Sequence, residues 1–309
     1  MYSNFLKLIL TLFGKVKVIK TYAISKIVYP ATVLVVPDFV KKRLKEIVFK
    51  YLWGKRDCVK RSNVIHTKNH GGLNMIDIES FFESLKAAWV PRLLNSNGKW
   101  KDYFIMLLSK IGFNIDYILK TSFRTNDSFP VLNNLSPFYQ SILLAFNKAK
   151  AVVPFDRLSV HEILQLPLWG CEYFKIRNTC LYLDGWIKNN MYLVKDLINV
   201  DGSIKNDVEL LECTSKRITM IKDAFIVKNY VIKRIIQLDV TIGPFVNIRP
   251  LTHILYKKSY IELKICKSNI FYQMLVKKVR QRGNMESIYS NEFSFDNNFT
   301  IWKNTYDKK

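Results

Sequence analysis

Residues 37–54 read PDFVKKRLKEIVFKYLWG, and this stretch decides the fold class of the first part of the chain. Its apolar residues recur at intervals of three and four, the spacing of one face of an α-helix; they are Val40, Leu44, Ile47, Val48, Tyr51 and Leu52. Pro37 suits a first helical turn, Asp38 suits the positive end of the helix dipole, and Gly54 suits the residue that ends a helix. The opposite face carries Lys41, Lys42, Arg43, Lys45 and Lys50. The stretch therefore predicts a strongly basic amphipathic helix.

The segments around this helix also have helical periodicity. The pattern predicts a helix over residues 16–29, with Pro30 near its end, and another over residues 77–93 that Asp77 caps. Gly71 and Gly72 predict a turn before that second helix, and the NSNG sequence at residues 95–98 predicts a break. Further helices are predicted over residues 100–113, 136–148 and 216–238, a loop over 122–137, and a segment rich in aromatic residues and turns over 167–204.

These elements predict a mainly α fold with room for a small β-hairpin. The breaks in periodicity divide the chain into residues 1–95, 96–166 and 167–309. No apolar run approaches the 20 or so residues that span a bilayer, and the short apolar run at residues 5–13 has no small-residue cleavage site after it. We therefore expect an intracellular protein, in the nucleus or the cytoplasm, that is not secreted.

The charge balance predicts a polyanionic partner. The chain has 48 Lys and Arg residues against 25 Asp and Glu, a net charge of +23, which exceeds what solubility requires. DNA, RNA or an acidic membrane surface would match this excess. Two stretches concentrate it: residues 41–61 hold nine basic residues against two acidic ones, and residues 257–282 hold eight against one. A Lys-rich helix face can also be merely solvated, and that alternative stays open.

Aromatic residues accompany both basic stretches. They are Phe49, Tyr51 and Trp53 in the first, and Tyr256, Tyr260, Phe271 and Tyr272 in the second. Cations contact phosphates and aromatic rings stack on bases, so the combination favours nucleic-acid binding. Tyr51 lies on the apolar stripe of its helix, and we expect it in the core.

Catalytic and metal-binding motifs are not apparent. A polymerase holds two metal ions with paired carboxylates, and the sequence has no Asp-Asp pair. Asp77 and Glu79 are two residues apart on a predicted helix and do not share a face. His66 and His70 have i, i+4 spacing, but the glycine pair after His70 argues against a helix there, and we expect no metal site. The five cysteines are irregularly spaced, which predicts free thiols rather than a disulfide framework.

Four blocks of the sequence resemble the region downstream of the palm in reverse transcriptases of non-LTR (LINE-type) retrotransposons. They are LTLFGKVKVIKTYAISKIVYPATVLVVP at 10–37, FKYLWGKRDCVKR at 49–61, HGGLNMIDIESFFESLKAAWVPRLL at 70–94, and PLWGCEYFKIRNTCLYLDGWIKNNMYLVKDLINVDGSI at 167–204. In that family a leucine-rich stretch leads to a Phe-x-x-Phe-Leu-Trp-Gly block, a Gly-Gly-Leu turn and an Ala-Leu-Lys-x-x-Trp helix. Here Tyr51 replaces the second Phe. The closing residues 302–306 are also similar.

The resemblance implies that residues 1–95 are a thumb-like helical bundle that packs on a template–primer duplex. Residues 96–166 would be a helical connector, and residues 167–309 a mostly helical region that is incomplete at its end, because the family's distal cysteine/histidine motif is missing. The basic residues that would contact phosphates are Lys15, Lys17, Lys20, Lys41, Lys42, Arg43, Lys45, Lys60 and Arg61. The partner would be RNA, DNA or an RNA/DNA hybrid.

The resemblance also implies that the catalytic palm, with its Tyr/Phe-Ala-Asp-Asp box, would lie before Met1. RNA-directed DNA polymerisation would then belong to the full-length protein, and this chain would be catalytically incomplete. We expect no cofactor in it, because Mg²⁺ would bind in the palm. One alternative is a domesticated, free-standing nucleic-acid-binding protein. Another is a peripheral membrane protein that uses its basic amphipathic helices; we do not expect a membrane partner, because Val40, Leu44, Ile47 and Val48 look like core residues.

Overall fold

The computed structural model describes residues 10–54, 57–122, 130–150, 155–176, 179–212, 218–236, 253–257 and 259–281. These residues are mainly helical, with two small antiparallel strand pairs, so the predicted fold class is confirmed. They form two compact units. The first unit comprises the described residues up to Lys86 together with those from Ser268 onward, and the second comprises the described residues from Ala87 to Lys267. The three consecutive regions inferred from the sequence stay a prediction.

The first unit is built from seven helical elements and a returning terminal helix. They are α1 (Leu12–Val18), a π-helical segment (Ile19–Ile24), α2 (Ser25–Val33), α3 (Asp38–Trp53), α4 (Arg61–Ile65), a 3-10 turn (Lys68–His70), α5 (Ile78–Ala87, whose last residue belongs to the second unit) and α15 (Ser268–Gln281). The helix predicted over residues 16–29 is thus longer than expected and ends three residues beyond Pro30.

Helix α3 begins and ends where the sequence predicted. Pro37 directly precedes its first residue, and Gly54 ends it with φ of 85° while its N–H donates to the Lys50 carbonyl at 2.8 Å. Only Val48 and Leu52 of the apolar stripe are fully buried; together with Phe49, which lies beside the stripe, they pack with residues of α1 and the π-helical segment. The prediction that Val40 and Ile47 are core residues was wrong, because their side chains are 38% and 53% exposed.

The two glycines predicted to form a turn have different structural roles. Gly71 has φ of 70°, a conformation that suits glycine. Gly72 lies so close to the backbone of His66 that an added Cβ would be 2.1 Å from the His66 carbonyl oxygen. The chain then runs back along α4, and the N–H groups of Leu73 and Met75 both donate to the Val64 carbonyl, at 3.1 and 3.0 Å.

Asp77 caps α5 as predicted. Its Oδ2 accepts hydrogen bonds from the Ser80 backbone N–H at 2.9 Å and from the Ser80 hydroxyl at 2.6 Å. The Asp77 N–H in turn donates to the Tyr272 hydroxyl at 3.0 Å, which attaches α15 to the start of α5. Tertiary contacts therefore place α15 in the first unit, although it is far away in sequence.

The second unit contains the remaining elements. They are α6 (Trp89–Asn95), α7 (Lys99–Lys110), α8 (Ile115–Lys120), α9 (Pro137–Ala149), α10 (Val160–Leu164), β1 (Lys175–Ile176), β2 (Thr179–Cys180), α11 (Asp184–Lys188), α12 (Asp207–Glu212), α13 (Ile218–Val227), α14 (Lys233–Ile236), β3 (His253–Tyr256) and β4 (Ser259–Glu262), with 3-10 turns at Pro130–Asn134, Phe155–Arg157, Val194–Leu197 and Leu263–Ile265 and a π-helical segment at Lys228–Ile232. In the register of the β3–β4 hairpin, His253 pairs with Glu262 and Tyr256 with Ser259. The helices predicted over 100–113 and 136–148 correspond to α7 and α9.

The aromatic segment predicted over residues 167–204 supplies much of the core of this unit. Trp169 and Trp186 are fully buried and meet edge to face, with ring centroids 6.1 Å apart. The Tyr117 hydroxyl donates to the Trp169 carbonyl at 3.1 Å and accepts from the Trp169 N–H at 3.0 Å. This reciprocal pair fixes α8 against the segment, because both groups are buried and satisfied.

Some predictions fall on residues outside those described. They concern the loop residues 123–129, the ends of the helix predicted over 216–238, Cys213, the basic residues Lys55, Arg56, Lys258 and Arg282, and the closing block 302–306. Across the described ranges, no helix has both the length and the apolar character needed to cross a membrane.

Candidate nucleic-acid interface

The basic face of α3 is present, but most of its cations have acidic neighbours. Lys42 is exposed and has no hydrogen bond or ion pair with any described residue. Three others pair with carboxylates: Lys41 with Asp38 at 2.8 Å, Arg43 with Glu46 at 3.2 Å, and Lys45 with Glu79 at 3.3 Å. The three carboxylate side chains are between 59% and 83% exposed. Water-exposed pairs of this kind contribute little, so a phosphate can displace the carboxylates.

The predicted lysines of the first helix have different surroundings. Lys17 is exposed. Lys15 is half-buried, and its Nζ donates to the Leu52 carbonyl at 3.1 Å, which links α1 to the last turn of α3. This contact favours a structural role for Lys15. Lys20 is also half-buried, and its Nζ donates to the Asn74 carbonyl in the loop before α5.

The two predicted residues at the start of α4 also differ. Lys60 is exposed and directly precedes the helix. Arg61 is half-buried: its Nε is 2.7 Å from Asp57 Oδ2, and its guanidinium carbon lies 4.7 Å from the centre of the buried Phe49 ring. Arg61 therefore packs on the core through its planar group, and its charge is partly balanced.

Sequence reasoning missed a group of cations that the fold brings together. We call Lys20, Lys68 and Arg280 the loop cation cluster. Arg280, on α15, donates from Nε and Nη2 to the Ile65 carbonyl at 3.2 and 3.1 Å, and from Nη2 to Asn74 Oδ1 at 3.3 Å. Lys20 contacts the backbone of the same Asn74. Two cations from opposite ends of the described chain thus meet at one loop residue.

The loop cation cluster has an uncompensated positive field. The pKa of Lys20 is lowered from its ordinary value, first by burial and then by the nearby charges of Arg280 and Lys68. Lys68 is exposed, and its Nζ lies 4.7 Å from the centre of the Phe13 ring. Within the described ranges, none of the three cations pairs with a carboxylate. A bound anion would relieve their mutual repulsion.

The sequence pointed only partly toward this cluster: Lys20 was among the predicted phosphate contacts. Arg280 was counted in the second basic stretch, residues 257–282, which was treated as one feature. The structure divides that stretch: the β3–β4 hairpin belongs to the second unit, whereas α15 belongs to the first. Lys68 stood between the two candidate histidines and gave no pattern of its own.

The aromatic residues expected to stack on bases are mostly unavailable. Phe49 and Phe271 are buried, and the Tyr272 hydroxyl contacts the Asp77 backbone. Tyr51 was expected in the core and is half-buried against it. Tyr260 is 62% exposed, but it lies on the hairpin of the second unit. Among the described residues of the first unit, the exposed rings are elsewhere, at Tyr22, Tyr29 and Phe39.

An exposed apolar ridge lies where α2 leads into α3. We define it by Tyr29, Val33, Leu34, Val35 and Phe39. Tyr29 is 79% exposed and Phe39, ten residues further along the chain, is 72% exposed; two aromatic side chains so exposed within one short segment are unusual. The ridge adjoins Lys41, Lys42 and Arg43 in sequence, so apolar and cationic groups occur together at this end of α3.

The arrangement gives no catalytic constellation among the described residues. Asp77 is occupied as a helix cap and Glu79 pairs with Lys45. His66 follows α4 whereas His70 lies in the 3-10 turn, so the two do not share a helix. No three His, Cys, Asp or Glu side chains in the described part of the chain are grouped to hold a metal ion. The four described cysteines, Cys58, Cys171, Cys180 and Cys266, form no disulfide.

No protein-family model, no curated protein and no solved structure matches this chain.

Proposed function

We propose that the first unit binds the sugar–phosphate backbone of a nucleic acid, as the thumb of a non-LTR retrotransposon reverse transcriptase would. The observation that carries this proposal is the loop cation cluster: Lys20 and Arg280 both contact Asn74, Lys68 adds a nearby positive charge, and none of the three has a carboxylate partner among the described residues. Cations that contact phosphates bind a duplex without reading its sequence. An RNA/DNA hybrid, a DNA duplex and an RNA duplex are all suitable partners.

The geometry of the cluster suits a phosphate oxygen. Arg280 makes its hydrogen bonds through Nε and Nη2, and Nη1 has no acceptor among the described residues. The Lys20 ammonium has three N–H donors, and one of them donates to the Asn74 carbonyl, which leaves two for an anion. Because these contacts fix both side chains, little rotamer freedom remains to be lost when an anion binds.

The face of α3 would extend the same interface. Lys42 is available as it stands, and Lys41, Arg43 and Lys45 become available when phosphates replace their exposed carboxylate partners. In the reverse transcriptase interpretation, RNA-directed DNA polymerisation and Mg²⁺ binding belong to the palm of the full-length protein. A domesticated nucleic-acid-binding protein would use the same surface, so binding alone does not separate these two interpretations.

The test is the salt dependence of duplex binding by the full chain. We would measure Kd for a labelled RNA/DNA hybrid by fluorescence anisotropy between about 50 and 200 mM salt, where six or more phosphate contacts cost roughly a thousandfold in affinity. The K42E/K68E double variant changes two exposed lysines outside the backbone contacts of the fold. We expect its slope of log affinity against log salt to fall by about two, near one per lost contact.

A matched control keeps this test independent of net charge. Lys99 in α7 and Lys222 in α13 are exposed residues of the second unit, and K99E/K222E, which changes the net charge by the same amount, should leave the slope unchanged. If K42E/K68E binds the hybrid with the same slope as the unmodified chain, the proposed interface is wrong.

A second candidate function is binding to an anionic membrane surface. The exposed apolar ridge favours it, because an interfacial helix needs apolar side chains beside basic ones. Sedimentation with vesicles of phosphatidylserine and phosphatidylcholine tests this directly. Vesicle binding that F39S/L34S abolishes, together with weak hybrid binding, would favour the membrane function; hybrid binding that survives F39S/L34S would favour the first.

A further inference from the structure

The second unit contains a cleft of about 630 Å³ that no part of the proposed phosphate interface uses. One wall is the end of α7 and its following turn, at residues 109–112, and the opposite wall runs from Ile187 to Tyr192. Asn134 and Tyr182 complete the lining. A smaller hollow of about 410 Å³ shares Asn190 and Tyr192 with it. The volume falls in the range of small-molecule sites.

The two helices that border the cleft end in the same motif. After α7, the Phe113 N–H donates to the Leu108 carbonyl at 3.0 Å and the Gly112 N–H to the Ser109 carbonyl at 3.1 Å. After α11, the Met191 N–H donates to the Trp186 carbonyl and the Asn190 N–H to the Ile187 carbonyl, both at 3.0 Å. These are Schellman motifs, with positive φ at Gly112 and Asn190.

This shared geometry fixes the cleft in advance of any ligand. Phe113 and Trp186 are buried and hold the two helix ends to the core. Lys110 and Lys188 are then the last residues of their helices, so each is set at the border of the cleft. A site built on rigid helix ends loses little entropy when it is occupied.

The chemistry of the lining matches the parts of a nucleotide. Tyr182 and Tyr192 offer rings, Asn134 and Asn190 offer amides that both donate and accept, and Lys110 and Lys188 offer positive charge. None of the residues that line this cleft is acidic. A neutral sugar would use the amides and the rings but would give the Lys110 ammonium no negative group to pair with. Rings bind base faces, amides bind base edges, and lysines bind phosphate.

We propose that this cleft binds a single unstacked nucleotide, either free or as part of a nucleic-acid strand. It shares the ligand class of the proposed function, but it uses different residues in a different unit. Helix C-termini carry partial negative charge, which favours hydrogen-bond donors near them. The cleft therefore prefers bases with an exocyclic amino group, which are adenine, cytosine and guanine, over uracil.

The pKa of Tyr192 supports its role as a donor. Burial, and then the neighbouring Asp196 carboxylate, raise the pKa of this phenol above its ordinary value. The hydroxyl therefore stays protonated through the physiological range, and it donates to Asn190 Oδ1 at 3.4 Å. Because Asn190 Oδ1 accepts this hydrogen bond, the amino group of Asn190 is the part of the amide that would donate to a ligand.

The experiment is calorimetric titration of the full chain with adenosine 5′-monophosphate, uridine 5′-monophosphate, adenosine and inorganic phosphate. We expect the adenine nucleotide to bind most tightly and Y182A to weaken it by about tenfold, the loss expected for one stacked base. Y182F keeps the ring and should bind nearly as well as the unmodified chain. K110A should weaken the nucleotide but not adenosine, whereas K99A, at the other end of α7, should change neither.

The outcomes separate this proposal from the first. If K42E/K68E weakens hybrid binding but leaves nucleotide binding unchanged, the cleft is a site separate from the first-unit interface. If K42E/K68E leaves the salt dependence of hybrid binding unchanged while the nucleotide still binds, the first-unit interface is wrong and the cleft proposal stands. No saturable nucleotide binding at millimolar concentration would overturn the proposal. So would inorganic phosphate binding as tightly as the nucleotide, or nucleotide binding that Y182A and K110A both leave unchanged.

Discussion

Arg280 donates two hydrogen bonds, from Nε and Nη2, to the backbone carbonyl of Ile65 at 3.2 and 3.1 Å. The Ile65 carbonyl is at the end of α4, where helical carbonyls lack partners within the helix. A guanidinium can therefore complete the helix end and join α15 to it in one contact. The same side chain reaches Asn74, so it also fixes the loop that carries the cluster.

Replacing Arg280 should destabilise the first unit. We expect R280A to lower the free energy of unfolding by about 1–3 kcal/mol, because it removes hydrogen bonds from a charged donor and leaves a carbonyl without its partner. R280K should recover little of this, since an ammonium cannot reproduce the fork geometry. Urea unfolding measures the change, and K277A, which alters an exposed lysine on the same helix, is the control. Equal stability of R280A and K277A would contradict the anchoring role.

Gly72 should tolerate substitution less well than Gly54. In G72A the new methyl group would lie 2.1 Å from the His66 carbonyl oxygen, so the backbone must move, at a cost of about 3 kcal/mol. Gly54 has φ of 85° but open space around it, so G54A costs only the strain of that conformation, about 1–2 kcal/mol. Thermal unfolding of both variants tests whether G72A is destabilised more than G54A. A G72A protein as stable as the unmodified chain would mean that residues 66–72 do not approach as closely as described.

Local features of the structure were predictable from the sequence and long-range ones were not. The ends of α3 and the cap of α5 follow from Pro37, Gly54 and Asp77, because helix termini depend on neighbours in the chain. The exposure of Val40 and Ile47 was not predictable, since periodicity identifies a face but not how far a partner covers it. The meeting of Lys20 and Arg280 depends on tertiary packing over the length of the chain, which no local pattern records.

Removing carboxylates from the α3 face should strengthen hybrid binding. Glu46 pairs with Arg43 at 3.2 Å and would compete with a phosphate for that guanidinium. We expect E46Q to raise hybrid affinity severalfold at low salt and to have little effect at high salt, where exposed charges are screened. Anisotropy titrations at two salt concentrations measure this. E212Q, at the end of α12 in the second unit, is the control; an equal gain there would indicate a general charge effect rather than an effect at α3.

The half-buried Lys150 should make stability rise with pH. Burial lowers the pKa of Lys150 to about 7, although its Nζ donates to the carbonyls of Leu119 and Thr121. In the unfolded chain this lysine binds its proton up to its ordinary pKa of 10.5, so between these values the unfolded state holds more protons than the folded state. The free energy of unfolding therefore increases as pH rises above 7, and this contribution is lost as pH falls through 7.

The useful range for this measurement is pH 7–9. Above it the buried thiol of Cys171, whose pKa is raised from 9.0 to about 12, opposes the trend because the folded state then holds the extra proton. We expect K150M to flatten the rise in the free energy of urea unfolding over this range. A smaller slope should remain, because burial also lowers the pKa of Lys86 to about 8. If K150M retains the full slope, Lys150 keeps its proton in the folded state, and the two carbonyl acceptors outweigh its burial.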